Sequence, residues 1–459
     1  MFEPRSPQLR RLLGDNVAAQ THHATRAVAL GPGALAAIPA LFARHFPGRD
    51  ALVVADDHTL LAAGEAVEAL LAQSDIPTRR VVLEPRPGDD HLVCEDGVIA
   101  AFKTILESNP NAIGVAVGAG TVNDVVKYAS HLLGREYACV PTAASMNGYT
   151  STIAAILQGG VKRTLPCGQP VFIVADAAVL AAAPSVLNQA GFGDLLSKPV
   201  SHGDWLLSHL VRGVPYTTAP NDVLDELFTT LLKEAPAVGR ADTEGLAILM
   251  EAILISGFSM AIAGSSAPAS GGEHLVSHYW DMEQLDHGAP LLGLHGTQVG
   301  IATRLSAMLF EKLLALDPTT IDPAALAARW PDARGFDALA SAHPTLSASI
   351  VGEIRPQLAR KQKVGAELEA ELRLVRDRWT EIRARIADVM LGVQTIETAL
   401  REAGCAMRAS DIGCDRARLV HTLRVCRHIR DRYVALDLMD DLGLLDAWAQ
   451  EVAERADGD

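Results

Sequence analysis

Three short segments of the chain, at residues 191–198, 271–278 and 293–296, concentrate histidines and carboxylates. His274 and His278 are four residues apart, so a helix would carry both on one face. Together with Asp194 and His295 they offer one carboxylate and several imidazoles. A carboxylate with two imidazoles leaves open positions on a divalent cation, which can then act as a Lewis acid on a substrate oxygen.

The same residues allow simpler interpretations. Each histidine could be a satisfied core or helix-cap residue, and sequence spacing alone does not bring distant segments together. The order around His274 is not His-Glu-x-x-His, because Leu275 stands where that motif requires glutamate. A metalloprotease is therefore not indicated.

A glycine-containing turn joins a strand-like run to a helix start in the first half of the chain. Ile113–Val117 is apolar and is followed by Gly118 and Gly120. The glycines let a ligand approach the backbone, and the N–H groups at the helix start can hold a pyrophosphate. Thr121 could cap the helix or bond a phosphate oxygen. Because Asn123 occupies the third position of Gly-x-Gly-x-x-Gly, an ordinary strand-to-helix turn is an equal alternative.

A second feature of nucleotide sites is an acid after a strand. Ala51–Ala55 is strand-like and ends in Asp56 and Asp57. An acid there can accept hydrogen bonds from a ribose diol and disfavour a 2′-phosphate. The alternative is that Asp57 or His58 caps the next helix.

The elements that carry these residues fall into two kinds. Short β-branched runs alternate with helix-like segments up to about Leu180, which indicates βα units and a parallel sheet. After about Pro184 long apolar-periodic segments replace the strands. We predict an N-terminal extension over residues 1–26, a Rossmann-like α/β nucleotide-binding domain over 27–183 and an all-α metal-binding domain over 184–459. The predicted strands are Ala51–Ala55, Arg80–Leu83, Ile113–Val117, Tyr137–Val140 and Val171–Val174.

Two helical segments are predicted in more detail. The apolar stretch Leu246–Ala263 contains Glu251, so a buried core helix is favoured over a membrane span. A second helix is predicted to pack into its own domain, with a coiled coil as the alternative. Its apolar face consists of Leu368, Leu372, Val375, Trp379, Ile382, Ile386 and Val389.

Composition narrows the class of partner. The 459 residues carry a formal net charge of −15, which disfavours nucleic acids and anionic membrane surfaces but permits a local basic pocket for a small anion. The 6 cysteines form no Cys-x-x-Cys pair, and Met1–Gln20 has no long apolar run. A reducing, cytoplasmic setting without membrane insertion is expected.

The joint pattern resembles the sn-glycerol-1-phosphate dehydrogenases, within the dehydroquinate synthase-like and iron-containing alcohol dehydrogenase superfamily. The resemblance covers nearly the whole chain and implies the fold already predicted, a nucleotide-binding α/β domain and a helical metal domain. The segments that carry it, in the family's order, are Gly118–Lys127, Pro141–Gly148, Gly191–Lys198, Glu273–His278, His295–Gly296, Ile429–Leu438 and Leu442–Leu445.

The resemblance implies roles for individual residues. The implied metal ligands are Asp194, His274 and His295. The implied cofactor-binding residues are Asp56 on the adenosine side, Gly118, Gly120 and Thr121 at the pyrophosphate, Thr142 and Ser145 beside the nicotinamide, and Asp124. The implied catalytic or substrate-contacting residues are Asn147, Lys162 and His278.

The implied reaction interconverts sn-glycerol 1-phosphate and dihydroxyacetone phosphate with NAD or NADP. A divalent metal acts as the Lewis acid and the nicotinamide carries the hydride. Zinc, nickel and iron are all expected candidates, because Asp and His ligands do not choose among them. A homodimer is expected, since symmetric dimers are the commonest oligomers.

Three departures from the family pattern border the expected pocket and leave the substrate open. Asn147 stands where the family has Asp, Gly272 where Ser is common, and Pro199–Gly203 replaces a Lys-Tyr-Thr-Ser start. The alternatives are a dehydrogenase or reductase of another small polyol phosphate or aldehyde, and a dehydroquinate synthase-type cyclase with no net NADH change. A non-enzymatic binding protein is disfavoured because all three presumed ligands are retained.

Overall fold

The structure is a computed structural model that describes residues 4–18, 23–85, 92–158, 161–332 and 335–458. Every strand in these residues lies before residue 177, and the sequence pattern predicted no strand after about Pro184. The strands are β1 (Ala27–Gly31), β2 (Asp50–Ala55), β3 (Thr78–Val82), β4 (Ala112–Gly118), β5 (Tyr137–Pro141), β6 (Ile153–Gln158), β7 (Val161–Pro166) and β8 (Phe172–Asp176).

Six strands form one parallel sheet in the order β1-β8-β5-β4-β2-β3. Every residue of β4, β5 and β8 is buried, as expected for strands covered on both faces. Gly118 at the end of β4 pairs with Pro141 at the end of β5, so both segments that follow them leave from the same edge of the sheet. The predicted α/β fold is confirmed.

The antiparallel hairpin of β6 and β7 was not among the predicted strands. In β6, Ala154 and Ile156 are buried while Ala155 is exposed, which is the alternation of a half-covered strand. Two adjacent glycines in the sequence, at positions 159 and 160, are a recognised hairpin signal that would have indicated it.

Helices account for most of the remaining described residues. Those before residue 200 begin at α1 (Pro7–Ala18) and continue with α2 (Ile38–His45), α3 (Asp57–Thr59), α4 (Glu65–Gln73), α5 (Asp96–Ser108), α6 (Gly120–Leu132), α7 (Ala177–Ala182), α8 (Ser185–Leu196) and α9 (Lys198–Arg212). Later helices are α10 (Ala219–Asp222), α11 (Asp225–Lys233), α12 (Ala235–Gly239), α13 (Thr243–Ala263), α14 (Gly272–Asp286), α15 (His295–Leu314), α16 (Pro323–Ala327), α17 (Phe336–Ala342), α18 (Ala348–Lys361), α19 (Gly365–Val389), α20 (Val393–Glu402), α21 (Arg416–Val425), α22 (Ala435–Asp441) and α23 (Leu445–Gly458). Short 3-10 turns include Ala34–Ala37, Ala267–Ala269 and Cys426–Ile429.

The chain divides into two compact units. The first unit consists of Met1–Leu195, Ala219–Gly264 and Glu402–Gly404 and contains the sheet. The second consists of Leu196–Thr218, Ser265–Arg401 and Cys405–Asp459, and its described residues form helices and loops. The predicted domain limits at residues 26 and 183 remain predictions.

Helix α13 is the core helix of the first unit. It is the one helix of the described residues long and apolar enough to cross a membrane, and 78% of its most apolar window is buried inside the protein. Glu251 in this helix accepts hydrogen bonds from the backbone N–H of Ser6 at 2.7 Å and of Arg5 at 3.3 Å. The buried carboxylate is therefore satisfied by the segment that leads into α1.

Helix α19 organises part of the second unit. The predicted apolar face is buried from Leu368 to Ile386, and only Val389 at its end is partly exposed. Trp379 lies in the middle of this face and donates through Nε1 to the carbonyl of Leu316 at 3.1 Å. The helix packs against α9 and α16, which agrees with the predicted helix inside its own domain.

All 6 cysteines are free thiols. Cys405 is partly buried and the others are buried. Burial raises the pKa of the Cys167 thiol to about 11 and of the Cys405 thiol to about 12. The cysteines behave as small core residues, as the sequence predicts.

Gly191→Ala tests the contact that seats α8. A methyl group at this position would overlap the carbonyl oxygen of Ala144, which is backbone and cannot rotate away. We expect the first thermal unfolding transition to move down, reflecting a loss of roughly 1–3 kcal/mol or more. The matched control is Gly352→Ala in α18, where the added methyl meets open space and should stabilise by roughly 0.5–1 kcal/mol. Equal midpoints for the two variants in scanning calorimetry would contradict this packing.

Candidate active site

Three histidines converge in the second unit. His274 and His278 lie one turn apart on α14, and His295 is the first residue of α15. The ring centroids of His274 and His295 are 5.3 Å apart, and those of His278 and His295 are 5.4 Å apart in a stacked arrangement. The packing of α14 on α15 thus joins segments that spacing alone could not connect.

Hydrogen bonds fix the ring tautomers of two of these histidines. The Nδ1–H of His274 donates to Oε1 of Glu273 at 2.8 Å. Ser277 Oγ donates to the Gln298 amide oxygen at 2.6 Å, so it accepts from Nδ1–H of His295 at 2.9 Å. In the neutral form each ring therefore carries its proton on Nδ1, and Nε2 is the nitrogen that can bind a metal.

Two buried carboxylates hold the first turn of α14. Oε1 of Glu273 also accepts from the Gly271 N–H at 2.8 Å, and Asp204 accepts from the Gly272 N–H at 2.6 Å. A Cβ on Gly271 would lie 2.5 Å from the Asp204 carboxylate, so only glycine fits. Burial, together with the nearby Glu273, raises the pKa of Asp204 to about 7.

Asp281 is a further candidate ligand that sequence reasoning missed. One ligand atom from each of His278, Asp281 and His295 lies within 4.8 Å of the others. Asp281 also accepts from the Gln298 amide nitrogen at 3.0 Å, so Gln298 links it to the His295 network. Its position three residues after His278 on α14 was the available sequence signal.

Asp194, the predicted carboxylate ligand, lies in the first unit on α8. It is 1% exposed, and its Oδ2 accepts from the Asn147 backbone N–H at 2.8 Å. The Nδ2 of Asn147 is buried and has no hydrogen-bond partner among the described residues. The predicted metal ligand and the predicted catalytic residue 147 are therefore direct neighbours.

The glycine turn after β4 has the features of an anion-binding loop. Ala119 is the N-cap of α6, and no side chain caps the helix, so Thr121 is not a cap. A Cβ on Gly118 would lie 2.5 Å from Val122, and one on Gly120 would lie 2.9 Å from Met146. The N–H groups of the first helical turn therefore stay available to a ligand.

The other predicted residues around this loop are anchored in the first unit. Thr142 is 5% exposed, and its N–H donates to the Gly118 carbonyl at 3.2 Å. Ser145 is half-buried and lies 3.4 Å from the Tyr149 hydroxyl. Asp124 accepts from the Ala155 N–H at 3.2 Å, which joins α6 to the hairpin.

Lys127 lies on α6, seven residues after Gly120, and sequence reasoning assigned it no role. It is 1% exposed, and Nζ donates to the Gly148 carbonyl at 2.7 Å, the Ile153 carbonyl at 3.0 Å and Ser151 Oγ at 3.2 Å. The buried ammonium uses all three donors and so fixes the segment after residue 147 against α6.

Asp56 is the N-cap of α3. Its Oδ1 accepts from the Thr59 N–H at 2.8 Å and the Thr59 hydroxyl completes a capping box. The suggestion that Asp57 or His58 caps this helix is wrong, because the extended backbone of Asp56 places its own side chain at the cap. The side chain of Lys162 lies outside the described residues.

Comparisons with known proteins identify the family of the chain. Residues 29–184 match the family described as iron-containing alcohol dehydrogenase. The glycerol-1-phosphate dehydrogenase (NAD(P)+) of Bacillus licheniformis is 30% identical over 309 residues, which cover 67% of this chain and 76% of that enzyme. The chain belongs to the glycerol-1-phosphate dehydrogenase family. The Halalkalibacterium halodurans enzyme is 36% identical over 263 residues, which are 56% of this chain and 64% of that enzyme, slightly less than two thirds of its length.

A solved structure outside this family has the same fold. The glycerol dehydrogenase of Schizosaccharomyces pombe superposes with a TM-score of 0.58 at 15% identity, covering 94% of this chain and 91% of that one. The similarity supports a dehydroquinate synthase-like architecture for this family member.

Glu273→Gln tests whether the carboxylate beside His274 prepares that histidine for a metal. The substitution replaces the carboxylate that accepts from Nδ1–H with a weaker, neutral amide acceptor, and we expect zinc affinity to fall by about 10–100-fold in a chelator competition titration. Glu283→Gln is the matched control, since Glu283 is a buried carboxylate of the same helix that pairs with Arg418 at 2.5 Å. Unchanged zinc affinity in Glu273→Gln would contradict the assignment.

Proposed function

We propose that the chain is a metal-dependent, NAD(P)-linked oxidoreductase that interconverts sn-glycerol 1-phosphate and dihydroxyacetone phosphate. The supporting observation is the pair His274 and His295, whose neutral rings are held by Glu273 and Ser277 in the tautomer that carries the proton on Nδ1. Histidines that ligate a metal typically donate their other ring N–H in this way. The chain also belongs to a family whose curated members are named glycerol-1-phosphate dehydrogenase.

The proposed ligands of one divalent metal are Asp194, His274 and His295. A carboxylate and two imidazoles suit zinc, iron or nickel and leave positions for a substrate oxygen. When bound, the metal supplies Lewis acidity that lowers the pKa of the secondary hydroxyl of the substrate. The choice among the three metals is left to the experiment below.

The proposed nucleotide site is built on the turn after β4. The backbone N–H groups at the start of α6 would hold the pyrophosphate, with Gly118 and Gly120 providing the close approach. Thr142, Ser145 and Asp124 are proposed neighbours of the cofactor. Asp56 is proposed on the adenosine side, where its carboxylate would favour an unphosphorylated ribose.

The reaction balances as sn-glycerol 1-phosphate and NAD(P)+ giving dihydroxyacetone phosphate, NAD(P)H and one proton. A bound nicotinamide would supply the hydride acceptor for the secondary carbon, and the hydroxyl proton would need a protein group or water to carry it away. His278 is the proposed proton carrier, since it is half-buried and its ring stacks on that of His295. Asn147 and Lys162 are proposed substrate contacts.

A second candidate is a dehydrogenase or reductase of another small polyol phosphate or aldehyde. The observation that favours it is the Asn147 amide nitrogen, which is buried without a partner in the described residues. An amide can donate to a substrate oxygen but cannot act as a base, so it changes what this position can recognise.

We also propose that the protein forms a homodimer, which is the commonest symmetric assembly.

The decisive assay is oxidation of NADH and NADPH with dihydroxyacetone phosphate, after separate loading with zinc, nickel and ferrous iron. We expect turnover with at least one metal, and a loss of at least about 1,000-fold in Asp194→Ala, because the Lewis acid contributes several kcal/mol. Glu367→Ala, an exposed change in α19, is the activity control. Absence of turnover with every metal, despite metal and nucleotide binding, would exclude this substrate.

Asn147→Asp tests the role of the neutral amide beside Asp194. A second carboxylate should lower the thermal midpoint of the metal-free protein through like-charge repulsion and increase the rise in midpoint on adding zinc. Asn147→Ala separates charge from shape, because it removes the amide without adding charge. Identical zinc-induced shifts in wild type and Asn147→Asp, measured by scanning fluorimetry, would show that this position does not sense the metal.

A further inference from the structure

Two arginines that follow the Cys426–Ile429 turn reach into the loop before α14. Arg430 Nη1 lies 3.4 Å from the Ser270 hydroxyl. Arg432 donates to the Ser270 carbonyl and, at 2.9 Å, to the Ser266 hydroxyl. Lys198 donates to the Pro268 carbonyl at 3.3 Å, so three cationic side chains contact one five-residue loop.

Neither arginine forms an ion pair with a carboxylate of the described residues. Asp431, which lies between them, pairs with Arg360 at 3.4 Å. The nearest buried acids are Asp204 and Glu273, and they accept hydrogen bonds from the backbone N–H groups of residues 271, 272 and 435. The guanidinium charges are therefore offset only at longer range.

Burial disfavours the charged form of both guanidinium groups. Burial lowers the pKa of Arg430, and burial together with neighbouring Arg430 lowers the pKa of Arg432 to about 10, although Asp204 and Glu273 act in the opposite direction. Two partly buried like charges without direct counter-ions are expensive unless an anion joins them. Arg430 uses one of its five N–H donors in a bond to the described residues.

We propose that Arg430 and Arg432, with Lys198 beside them, bind the phosphate monoester of the substrate. Guanidinium groups match phosphate oxygens in geometry as well as charge. Ser270 lies two residues before the first residue of α14 and four before His274, so the arginines contact the chain just ahead of the helix that carries this histidine. A three-carbon phosphate bound there would extend its carbinol oxygen toward His274, so this site rests on the proposed function.

The same phosphate chemistry could come from the nucleotide instead, as a pyrophosphate or a 2′-phosphate. The substrate is favoured because the arginines contact the loop that continues directly into His274, in the same unit, whereas the glycine turn of the first unit already offers helix N–H groups to a pyrophosphate. The test below separates the two sources.

The experiment titrates inorganic phosphate into the zinc-loaded protein by calorimetry, with NADH saturating so that the nucleotide site is filled. We expect one phosphate per chain in wild type, and affinity lower by at least about 10-fold in Arg430→Gln and in Arg432→Gln. Arg360→Gln is the matched control, because Arg360 is exposed and pairs with Asp431. Arg430→Lys, which keeps the charge without the planar fork, should lose less affinity and covers a failure of the glutamine variants to fold.

Steady-state kinetics provides the second arm. In Arg430→Gln the KM for dihydroxyacetone phosphate should rise by at least about 10-fold, with KM values for NADH and NADPH unchanged. A rise confined to NADPH, or phosphate affinity equal to that of Arg360→Gln, would overturn the proposal. If the arginine variants lose phosphate binding while wild type turns over no glycerol phosphate, the site stands and the proposed reaction fails.

Discussion

The Glu273 side chain, in the first turn of α14, determines both where this helix begins and how the His274 ring is oriented. One carboxylate oxygen accepts from both the Gly271 N–H and the His274 ring, so it fixes the helix start and the ring tautomer together. Asp204, on α9, accepts from the Gly272 N–H and so holds the same helix start. Because a backbone group and a histidine share the Glu273 carboxylate, a change in this acid alters helix position and imidazole chemistry at once.

In the first unit, the turn after β4 leaves the backbone N–H groups at the start of α6 without a side-chain cap. At Gly118 and Gly120 the backbone lies so close to the side chains of Val122 and Met146 that a Cβ would not fit. Lys127 then ties the following loop to the same helix through three hydrogen bonds. The loop between β5 and β6 has no regular secondary structure, and the buried Lys127 side chain holds it in place.

Residue types and spacings within short segments predicted the architecture, because the formation of strands and helices depends largely on neighbouring residues. β-branched runs marked five of the strands, and the four-residue spacing placed His274 and His278 on one helix face. The family resemblance named the ligand set, and that assignment remains a prediction. Ser277, Gln298 and Asp281 were not foreseen, since their roles follow from how α14 packs on α15 and no spacing records that contact.

The same limit explains the residues missed elsewhere. Lys127 binds acceptors more than twenty positions along the chain, and Arg430 and Arg432 bind a loop about 160 residues earlier. A basic pocket in a strongly acidic chain was allowed by composition, but its members could not be named. Tertiary contacts of this kind need coordinates, because each partner alone is an ordinary polar residue.

The buried cysteines can report how fast each of the two units opens locally. Burial raises the thiol pKa of Cys139, Cys167, Cys414 and Cys426, so alkylating reagents react with these four cysteines only after local opening. Cys139 and Cys167 sit in the first unit, whereas Cys414 and Cys426 sit in the second. The order in which these sulfurs become labelled therefore ranks the opening rates of the two halves of the chain, without any added probe.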